Sequence, residues 1–238
     1  MEDNSISLNK YISETGICSR READKWIEAG RVKINGLVAK KGNRVFEGDA
    51  VTIDNKPLKS KPKSVFIALH KPAGVTCTTD LKDRSNIIEF VNHKERIFPI
   101  GRLDKASTGL IFLTNDGDIV NEILRAEHNH EKEYIVSVDR NINDQFIAKM
   151  SKGIPILGTK TKPCIVEKLE NKVFRIILTQ GLNRQIRRMC EFLHYNVLTL
   201  KRVRIMNITL DKLKVGEWRD LSADELNGLK ALIKETKN

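Results

Sequence analysis

The first part of the chain contains two stretches whose apolar residues recur at helical spacing. Leu8, Tyr11 and Ile12 lie at i, i+3 and i+4, which places them on one face of a helix. Ser19 and Glu22 form a capping box, which predicts the start of a second helix. The apolar face of this second helix consists of Ala23, Trp26 and Ile27. We expect the two apolar faces to pack against each other.

Short strands are predicted after these helices. Val32 and Ile34 alternate with polar residues just before Asn35–Gly36, a dipeptide that is strongly favoured in hairpin turns. A further strand is predicted at Val51–Ile53, behind a second turn signal. The pattern predicts a small unit of two helices and a hairpin sheet.

A lysine-rich segment marks a change in character. Lys56–Lys63 contains two prolines and four lysines and offers little to bury, which indicates a flexible basic linker. We therefore predict an N-terminal domain with its linker over residues 1–63. A second domain is predicted over residues 64–238.

The second domain alternates strands and helices without the regular rhythm of a parallel βαβ sheet. Strands are predicted at Val65–Leu69, Ile97–Ile100, Leu110–Thr114, Glu133–Val138, Cys164–Lys168 and Val173–Thr179. Helices are predicted at Ile119–Arg125, Asp144–Ser151, Asn183–His194 and Ala223–Lys234. This pattern predicts an α+β fold with a largely antiparallel sheet and flanking helices.

The composition is that of a globular protein. Of 238 residues, 40% are hydrophobic and 31% are charged, and a chain of this length can fold without disulfides or a metal. Its four cysteines are scattered without a Cys-x-x-Cys pair, so we expect reduced, structural thiols. The polar N-terminus lacks the features of a secretory signal, and no apolar run is long enough to cross a bilayer. We expect a cytoplasmic protein.

The charge balance predicts a polyanionic partner. There are 42 Lys and Arg residues against 31 Asp and Glu residues, a formal net charge of +11. Basic side chains that neutralise phosphates release condensed counterions, which favours nucleic-acid binding. Charge alone does not separate a protein that only binds from one that also reacts.

Three basic residues, Arg20, Arg21 and Lys25, fall away from the apolar face of the second predicted helix. Such residues usually form a solvated face. The sequence S-R-R-E-A followed by V-K-I-N-G, however, resembles the small RNA-binding domain named after ribosomal protein S-four. The resemblance implies that the basic start of this helix contacts the RNA backbone. Arg20, Arg21 and Lys25 are therefore candidate RNA-binding residues.

A candidate site lies in the run Gly101–Gly117, G-R-L-D-K-A-S-T-G-L-I-F-L-T-N-D-G. Asp104 lies there in a loop between a proline-containing strand and a strongly apolar strand, flanked by glycines that let backbone approach a ligand. An aspartate in a loop is more often a turn former than a catalyst. Arg102 on the same loop favours the functional interpretation, because its guanidinium would keep the carboxylate ionised.

A second candidate region, Gln180–Arg204, contains six basic residues and one acid. Such density indicates a nucleic-acid surface, with a salt-bridged surface as the alternative. Within the predicted helix, Ile186, Cys190 and Leu193 form one apolar stripe, and Arg187 lies beside it. The candidate RNA-binding residues of the second domain are Arg102, Arg184, Arg188, Lys201 and Arg202.

Four motifs occur in the order found in pseudouridine synthases of the RsuA branch, whose members modify bacterial ribosomal RNA. They are H-K-P-x-G at His70–Gly74, the run around Asp104, K-E-Y at Lys132–Tyr134, and G-L-N-R-Q-I-R-R-M at Gly181–Met189. With the N-terminal domain, the resemblance covers essentially the whole chain. Within the branch, the chain is most similar to the group that acts on 23S ribosomal RNA.

The resemblance implies the roles of three residues. Asp104 matches the indispensable catalytic aspartate, Tyr134 matches the active-site tyrosine, and Arg187 matches the basic partner of the aspartate. The isomerisation of uridine to pseudouridine has no net redox change and needs neither a metal nor a cofactor. It needs a carboxylate that acts on the sugar as a nucleophile or as a base, and the sequence leaves both roles open.

Other interpretations stay open at this point. The same chemistry could act on tRNA or 16S ribosomal RNA, and a non-catalytic ribosome-assembly factor would use the same basic surface without needing Asp104. His128, His130 and Glu131 form a short cluster that is more typical of a polar loop than of a metal site. Chain length and the lack of an exposed apolar stripe favour a monomer.

Overall fold

The computed structural model describes residues 4–124 and 129–235. Contacts within the chain divide it into two compact units. The first consists of the residues up to Ser64 together with His93–Ile97 and Asn115–Gly117. The second consists of Val65–Asn92, Phe98–Thr114 and the residues from Asp118 onwards.

The first unit combines two helices, α1 (Leu8–Glu14) and α2 (Arg20–Glu28), with short strands. The strands are β1 (Ile6–Ser7), β2 (Val32–Ile34), β3 (Leu37–Val38), β4 (Arg44–Val45), β5 (Val51–Ile53) and β6 (Lys56–Pro57). As the capping box predicts, the Ser19 hydroxyl accepts a hydrogen bond from the backbone N–H of Glu22 at 3.1 Å. The apolar residues of both helices and of the strands form one buried cluster.

The start of the predicted linker belongs to this unit instead. Strand β6 pairs antiparallel with β5, so Lys56 and Pro57 extend the small sheet. Pro57 is compatible with this position because β6 is an edge strand, where a missing backbone donor is tolerated. The linker prediction is therefore wrong for its first two residues.

Within the described residues, the second unit contains a nine-stranded sheet and five helices. Its strands are β7 (Phe66–Lys71), β8 (Phe98–Ile100), β9 (Thr108–Thr114), β10 (Lys132–Val138), β11 (Pro155–Ile156), β12 (Thr159–Lys160), β13 (Ile165–Glu170), β14 (Val173–Leu178), β15 (Val197–Ile205), β16 (Ile208–Thr209) and β17 (Trp218–Asp220), of which β11 and β12 form a separate hairpin. Its helices are α3 (Ile87–Val91), α4 (Gly117–Leu124), α5 (Asp144–Ser151), α6 (Gln185–Phe192) and α7 (Ala223–Glu235).

The order of strands across the main sheet is β13-β14-β10-β15-β9-β7-β17, with β8 paired to β9 and β16 paired to β15. Neighbouring strands are antiparallel, except that β15 and β9 run parallel. The predicted α+β fold with a largely antiparallel sheet is confirmed.

Helices flank the sheet and complete its core. Helix α5 has the predicted bounds, and α4 begins two residues before the predicted Ile119, whereas Arg125 lies outside the described residues. At the start of α7, Ser222 and Glu225 bond each other reciprocally at 3.1 and 2.8 Å. The Arg219 guanidinium binds the same carboxylate and lowers the pKa of Glu225 to about 2. The apolar face of α7 then packs on the sheet beside Leu110. No helix in the described part of the chain is long and apolar enough to cross a membrane.

Strand β15 lies at the centre of the sheet and is absent from the predicted elements. It covers the end of the basic region Gln180–Arg204, which the sequence suggests as a nucleic-acid surface. Alternation along the strand exposes Lys201 and buries Leu200 and Arg202, with Arg202 only 4% exposed. The Nε of Arg202 donates to the carbonyl oxygen of Leu110 at 2.7 Å. Arg202 is thus not an open surface contact for phosphates, because the sheet encloses it.

The parallel pairing of β15 with β9 depends on a glycine. Gly109 lies opposite Arg202 and has a φ of +113°. A Cβ at this position would lie 2.2 Å from the Arg202 carbonyl oxygen and 2.5 Å from its backbone nitrogen. The two strands can approach this closely only because residue 109 has no side chain.

We predict that Gly109→Ala lowers the free energy of unfolding by more than about 2 kcal/mol, because the methyl group would overlap the backbone of β15. Urea unfolding measures this change. Gly158→Ala is the matched control, because Gly158 has a φ of +73° but no atom within 4 Å of an added Cβ. Equal losses in the two variants would contradict the role of the close strand approach.

Candidate active site

The second unit contains a cavity of about 700 Å³ above the central strands of the sheet. Its volume falls within the range of about 300–1,000 Å³ that is usual for ligand pockets. Asp104, Tyr134 and Arg187 all line this cavity, although they come from a loop, a strand and a helix. The structure thus brings the three predicted catalytic residues together.

Asp104 lies in the loop between β8 and β9. The loop turns back at this point, because the Ser107 N–H donates to the Asp104 carbonyl oxygen at 2.9 Å. The carboxylate is 34% exposed, and its Oδ2 lies 3.6 Å from the Nε of Arg187. Arg102, which the sequence suggests as the cation beside Asp104, is exposed instead. The ion pair of the carboxylate is with Arg187, the residue that the resemblance implies as the basic partner of Asp104.

Arg187 lies in the first turn of α6. The helix begins later than predicted, because Arg184 has a left-handed φ of +50° and stands just before the first helical residue. The Gln185 side chain accepts a hydrogen bond from the Leu182 N–H at 3.0 Å and satisfies a donor of the preceding loop. Of the predicted stripe, Ile186 and Cys190 are buried, whereas Leu193 is half-buried and lies just after the last helical residue. This arrangement turns Arg187 towards the sheet.

The Arg187 guanidinium links three segments of the unit. Besides Asp104, it reaches the Ser107 hydroxyl from Nη2 at 3.3 Å and the Val197 carbonyl oxygen from Nη1 at 3.4 Å. Its side chain is only 12% exposed, so solvent screens its charge weakly. Arg187 therefore connects the loop that carries Asp104 to α6 and to the start of β15.

Lys71 supports the same loop and is a residue that the sequence reasoning missed. It ends β7 and is completely buried. Its ammonium group donates to the carbonyl oxygens of Pro72, Val75 and Lys105 at 2.7, 2.9 and 3.4 Å. Burial lowers the pKa of Lys71, and these carbonyl oxygens replace the lost water. The sequence signal that could have identified Lys71 is its position at the end of a largely apolar strand.

Cys77 holds the other side of the loop. Its sulfur accepts a hydrogen bond from the Leu103 N–H at 3.4 Å, directly before Asp104. Burial raises the pKa of the Cys77 thiol, which favours its neutral form. Lys71 and Cys77 therefore fix the residues on both sides of the Asp104 carboxylate.

Tyr134 lies on β10 at the floor of the cavity and is 9% exposed. It stands between Ile176 of β14 and Arg202 of β15 in the sheet register. Lys132, two residues earlier on the same face, donates from Nζ to the His130 carbonyl oxygen at 3.1 Å. Burial and the nearby charge of Arg202 lower the pKa of Lys132 to about 8.

The remaining predicted RNA-binding residues differ in their placement. Arg102 and Arg184 are exposed and also line the cavity. Arg188 folds back and donates to the backbone and side chain of Asn183 at 3.1 and 3.3 Å. Lys201 is exposed on the sheet face opposite to Arg202 and does not line the cavity.

In the first unit, the three basic residues of α2 are all exposed. Arg20, Arg21 and Lys25 lie outside the buried face formed by Ala23 and Ile27. The Lys25 ammonium lies 3.4 Å from a carboxylate oxygen of Glu22, while the helix presents both arginines to solvent. Their contact with RNA stays a prediction.

The structure describes two of the three residues of the short histidine cluster. His128 lies outside the described residues. His130 is buried, and its Nδ1 lies 3.1 Å from the carbonyl oxygen of Ile123. Among residues 4–124 and 129–235, no group of three or more His, Cys, Asp or Glu side chains is arranged to hold a metal ion.

Comparisons with known proteins agree with this architecture. A family model described as RNA pseudouridylate synthase matches residues 65–192, and a model of the S4 domain matches residues 7–51. The dual-specificity RNA pseudouridine synthase RluF of Salmonella typhi is 57% identical over 98% of this chain and 81% of its own length. The ribosomal large subunit pseudouridine synthase B of Bacillus subtilis is 32% identical over 97% of this chain and 98% of its own length.

A solved structure is also similar. The crystal structure of a pseudouridylate synthase matches with a TM-score of 0.69 at 30% sequence identity. The match covers 94% of this chain and 100% of that chain. A related molecule of known structure thus shares the fold of this chain.

We predict that Lys71→Met reduces the free energy of unfolding by about 1–3 kcal/mol, because the carbonyl oxygens of Pro72 and Val75 lose their donor while staying buried. Urea unfolding measures the loss. Lys105→Met is the control, because Lys105 is exposed and contributes its backbone carbonyl rather than its side chain. An unchanged stability of Lys71→Met would mean that water replaces the ammonium group without cost.

Proposed function

The chain belongs to the RNA pseudouridylate synthase family, and we propose that it isomerises a uridine of 23S ribosomal RNA. The observation that carries the proposal is the cavity in which one carboxylate, Asp104, lies beside Arg187 among basic side chains. The predicted membership of the RsuA branch, and within it the similarity to RluF, is confirmed by the 57% identity. The chain is therefore an enzyme that acts on RNA.

The substrate within RNA is inferred from the names of relatives. The Bacillus subtilis relative is named for the large ribosomal subunit, which favours 23S ribosomal RNA. The name of the Salmonella typhi relative specifies dual specificity, which favours a second RNA substrate besides ribosomal RNA. We take tRNA as this second candidate.

In the proposed reaction, Asp104 acts at the ribose of a uridine that has left its base stack. Its carboxylate either attacks C1′ as a nucleophile or removes the proton from C2′, and either step requires the ionised form. The Nε of Arg187 lies 3.6 Å from Oδ2 of Asp104 and is proposed to orient the carboxylate towards the ribose. The reaction breaks and remakes bonds within one nucleotide.

Tyr134 is proposed to hold the flipped uracil. It is buried at the floor of the cavity, with its ring beside the central strand β15. An aromatic ring in this position can stack on an extruded base while the sugar lies near Asp104. Because Tyr134 is only 9% exposed, a base would have to leave its stack to reach the ring, so base flipping is proposed to precede the reaction.

The exposed cations are proposed to follow the RNA backbone. Arg102 and Arg184 lie where the cavity opens, and both are free to meet phosphates of the flipped nucleotide and its neighbours. The domain of residues 1–63 would dock on RNA through Arg20, Arg21 and Lys25 of α2. Residues 64–238 would then form the catalytic domain.

We predict that Asp104→Asn abolishes pseudouridine formation while RNA affinity stays within about twofold, because the amide cannot act as a nucleophile or base. Cells that lack the gene should lose a pseudouridine from 23S ribosomal RNA, as measured by mapping pseudouridines across cellular RNA. The wild-type gene should restore it, and the Asp104→Asn gene should not.

Asp224→Asn is the control, because it makes the same chemical change at an exposed residue of α7. It should restore the modification fully. Restoration by Asp104→Asn would refute the role of Asp104, and a loss confined to tRNA or 16S ribosomal RNA would replace the proposed substrate.

We predict that the double variant Arg20→Ala with Arg21→Ala weakens RNA binding. The magnitude of the slope of log affinity against log salt should fall by about 1.4–1.8, because each of the two phosphate contacts contributes about 0.7–0.9 to it. Filter binding at several salt concentrations measures the slope. Lys149→Ala with Lys230→Ala removes the same charge from exposed sites on α5 and α7 and should leave the slope unchanged. An unchanged slope in the arginine variant would indicate that Arg20 and Arg21 form a solvated helix face that does not contact RNA.

A further inference from the structure

Two cations that line the cavity, one buried and one half-buried, have no role in the chemistry described so far. Arg202 is 96% buried and lines the cavity, and its Nε is bonded to the Leu110 carbonyl oxygen. Its Nη2 is buried as well and has no hydrogen-bond partner among the described residues. A buried guanidinium donor without a partner costs free energy unless a ligand completes it.

Lys132 is the second cation. It lines the same cavity, and burial together with the charge of Arg202 lowers its pKa. Lys132 donates to one carbonyl oxygen, that of His130, whereas an ammonium group has three donors. Of the described acidic residues, the one that lines the cavity is Asp104, and its ion pair is with Arg187. Arg202 and Lys132 therefore form a cationic pair that lacks an anion.

We propose that Arg202 and Lys132 stabilise the negative charge that develops on uracil when the glycosidic bond breaks. This inference rests on the proposed function. When the bond between C1′ and N1 breaks, its electron pair stays on the base and spreads to the oxygens O2 and O4. Arg202 and Lys132 donate hydrogen bonds to these oxygens, and their charge is most effective where water is excluded.

The remaining steps balance without a further reactant. Asp104 either forms a bond to C1′ or takes the C2′ proton, and this change is reversed later. The uracil turns, C5 forms the new bond to C1′ with its own electron pair, and C5 then loses its proton. N1 gains a proton, so the product has the composition of the substrate. The cationic pair acts only while the base carries negative charge.

Position distinguishes the uracil oxygens from a phosphate as the anion. Arg202 is the register partner of Tyr134, the proposed base-stacking residue, and both are buried at the floor. The phosphates of a flipped nucleotide stay connected to the RNA chain and so remain towards the cavity mouth, where Arg102 and Arg184 are exposed. The deepest part of the cavity is therefore left for the base.

The test compares Arg202→Gln and Lys132→Gln on two RNA substrates, one with uridine and one with 5-fluorouridine at the target position. Fluorine withdraws electrons and stabilises the departing anion, so the 5-fluorouracil anion depends less on the protein. We expect the single-turnover rate of glycosidic cleavage by Arg202→Gln to fall on the order of 10²-fold with uridine. The loss with 5-fluorouridine should be at least fivefold smaller, with RNA affinity within about twofold of wild type.

Lys132→Gln is expected to show the same dependence on the leaving group and decides the question if Arg202→Gln does not fold. Lys149→Gln removes the same charge from an exposed site on α5 and should react like wild type. Equal losses on both substrates would overturn the proposal, and weakened RNA affinity with a lower salt slope would assign the pair to a phosphate. A wild-type protein that forms no pseudouridine would instead refute the proposed function itself.

Discussion

The ion pair between Asp104 and Arg187 is the contact on which the site depends. It joins the loop before β9 to the first turn of α6, two segments about 80 residues apart in the chain. The same guanidinium also contacts Ser107 and Val197, so it holds the loop, the helix and β15 in one arrangement. If Arg187 were displaced, the carboxylate would lose both its charge partner and the fixed position of its loop.

The charge of the cavity explains why the pair matters. One acid lies among six basic residues, Arg102, Lys105, Lys132, Arg184, Arg187 and Arg202. Such a cavity suits an RNA nucleotide, because its cations attract the anionic phosphates. The fold supports this concentration of cations in several ways. Lys71 nearby donates to three carbonyl oxygens, and the Nε of Arg202 donates to one, while the exposed cations face solvent.

Local signals in the sequence predict much of the fold. The Ser19 cap, the hairpin at Asn35–Gly36 and helix α5 are all found where local chemistry predicts them. The stripe of α6 also predicts which arginine faces inwards, because helical spacing alone separates Arg187 from Arg184 and Arg188.

Long-range contacts lie beyond such reasoning. Strand β15 resembles a basic surface in the sequence, since its charged residues conceal the alternation that buries Arg202. Its parallel pairing with β9 depends on Gly109, which belongs to a segment about 90 residues away. Local reasoning from the loop alone suggests Arg102 as the cation beside Asp104, whereas the ion pair is with Arg187 of a distant helix. Proximity in sequence does not determine proximity in space.

The most direct test of the central ion pair measures the C5–H bond itself. RNA labelled with tritium at C5 of uridine releases tritium when that position forms the new bond to the sugar. With the wild-type chain, we expect release of one tritium per modified uridine. With Arg187→Met, the single-turnover release should slow by on the order of 10²-fold or more, while RNA still binds. Release at the wild-type rate by Arg187→Met would contradict the proposal that the site depends on the ion pair between Asp104 and Arg187.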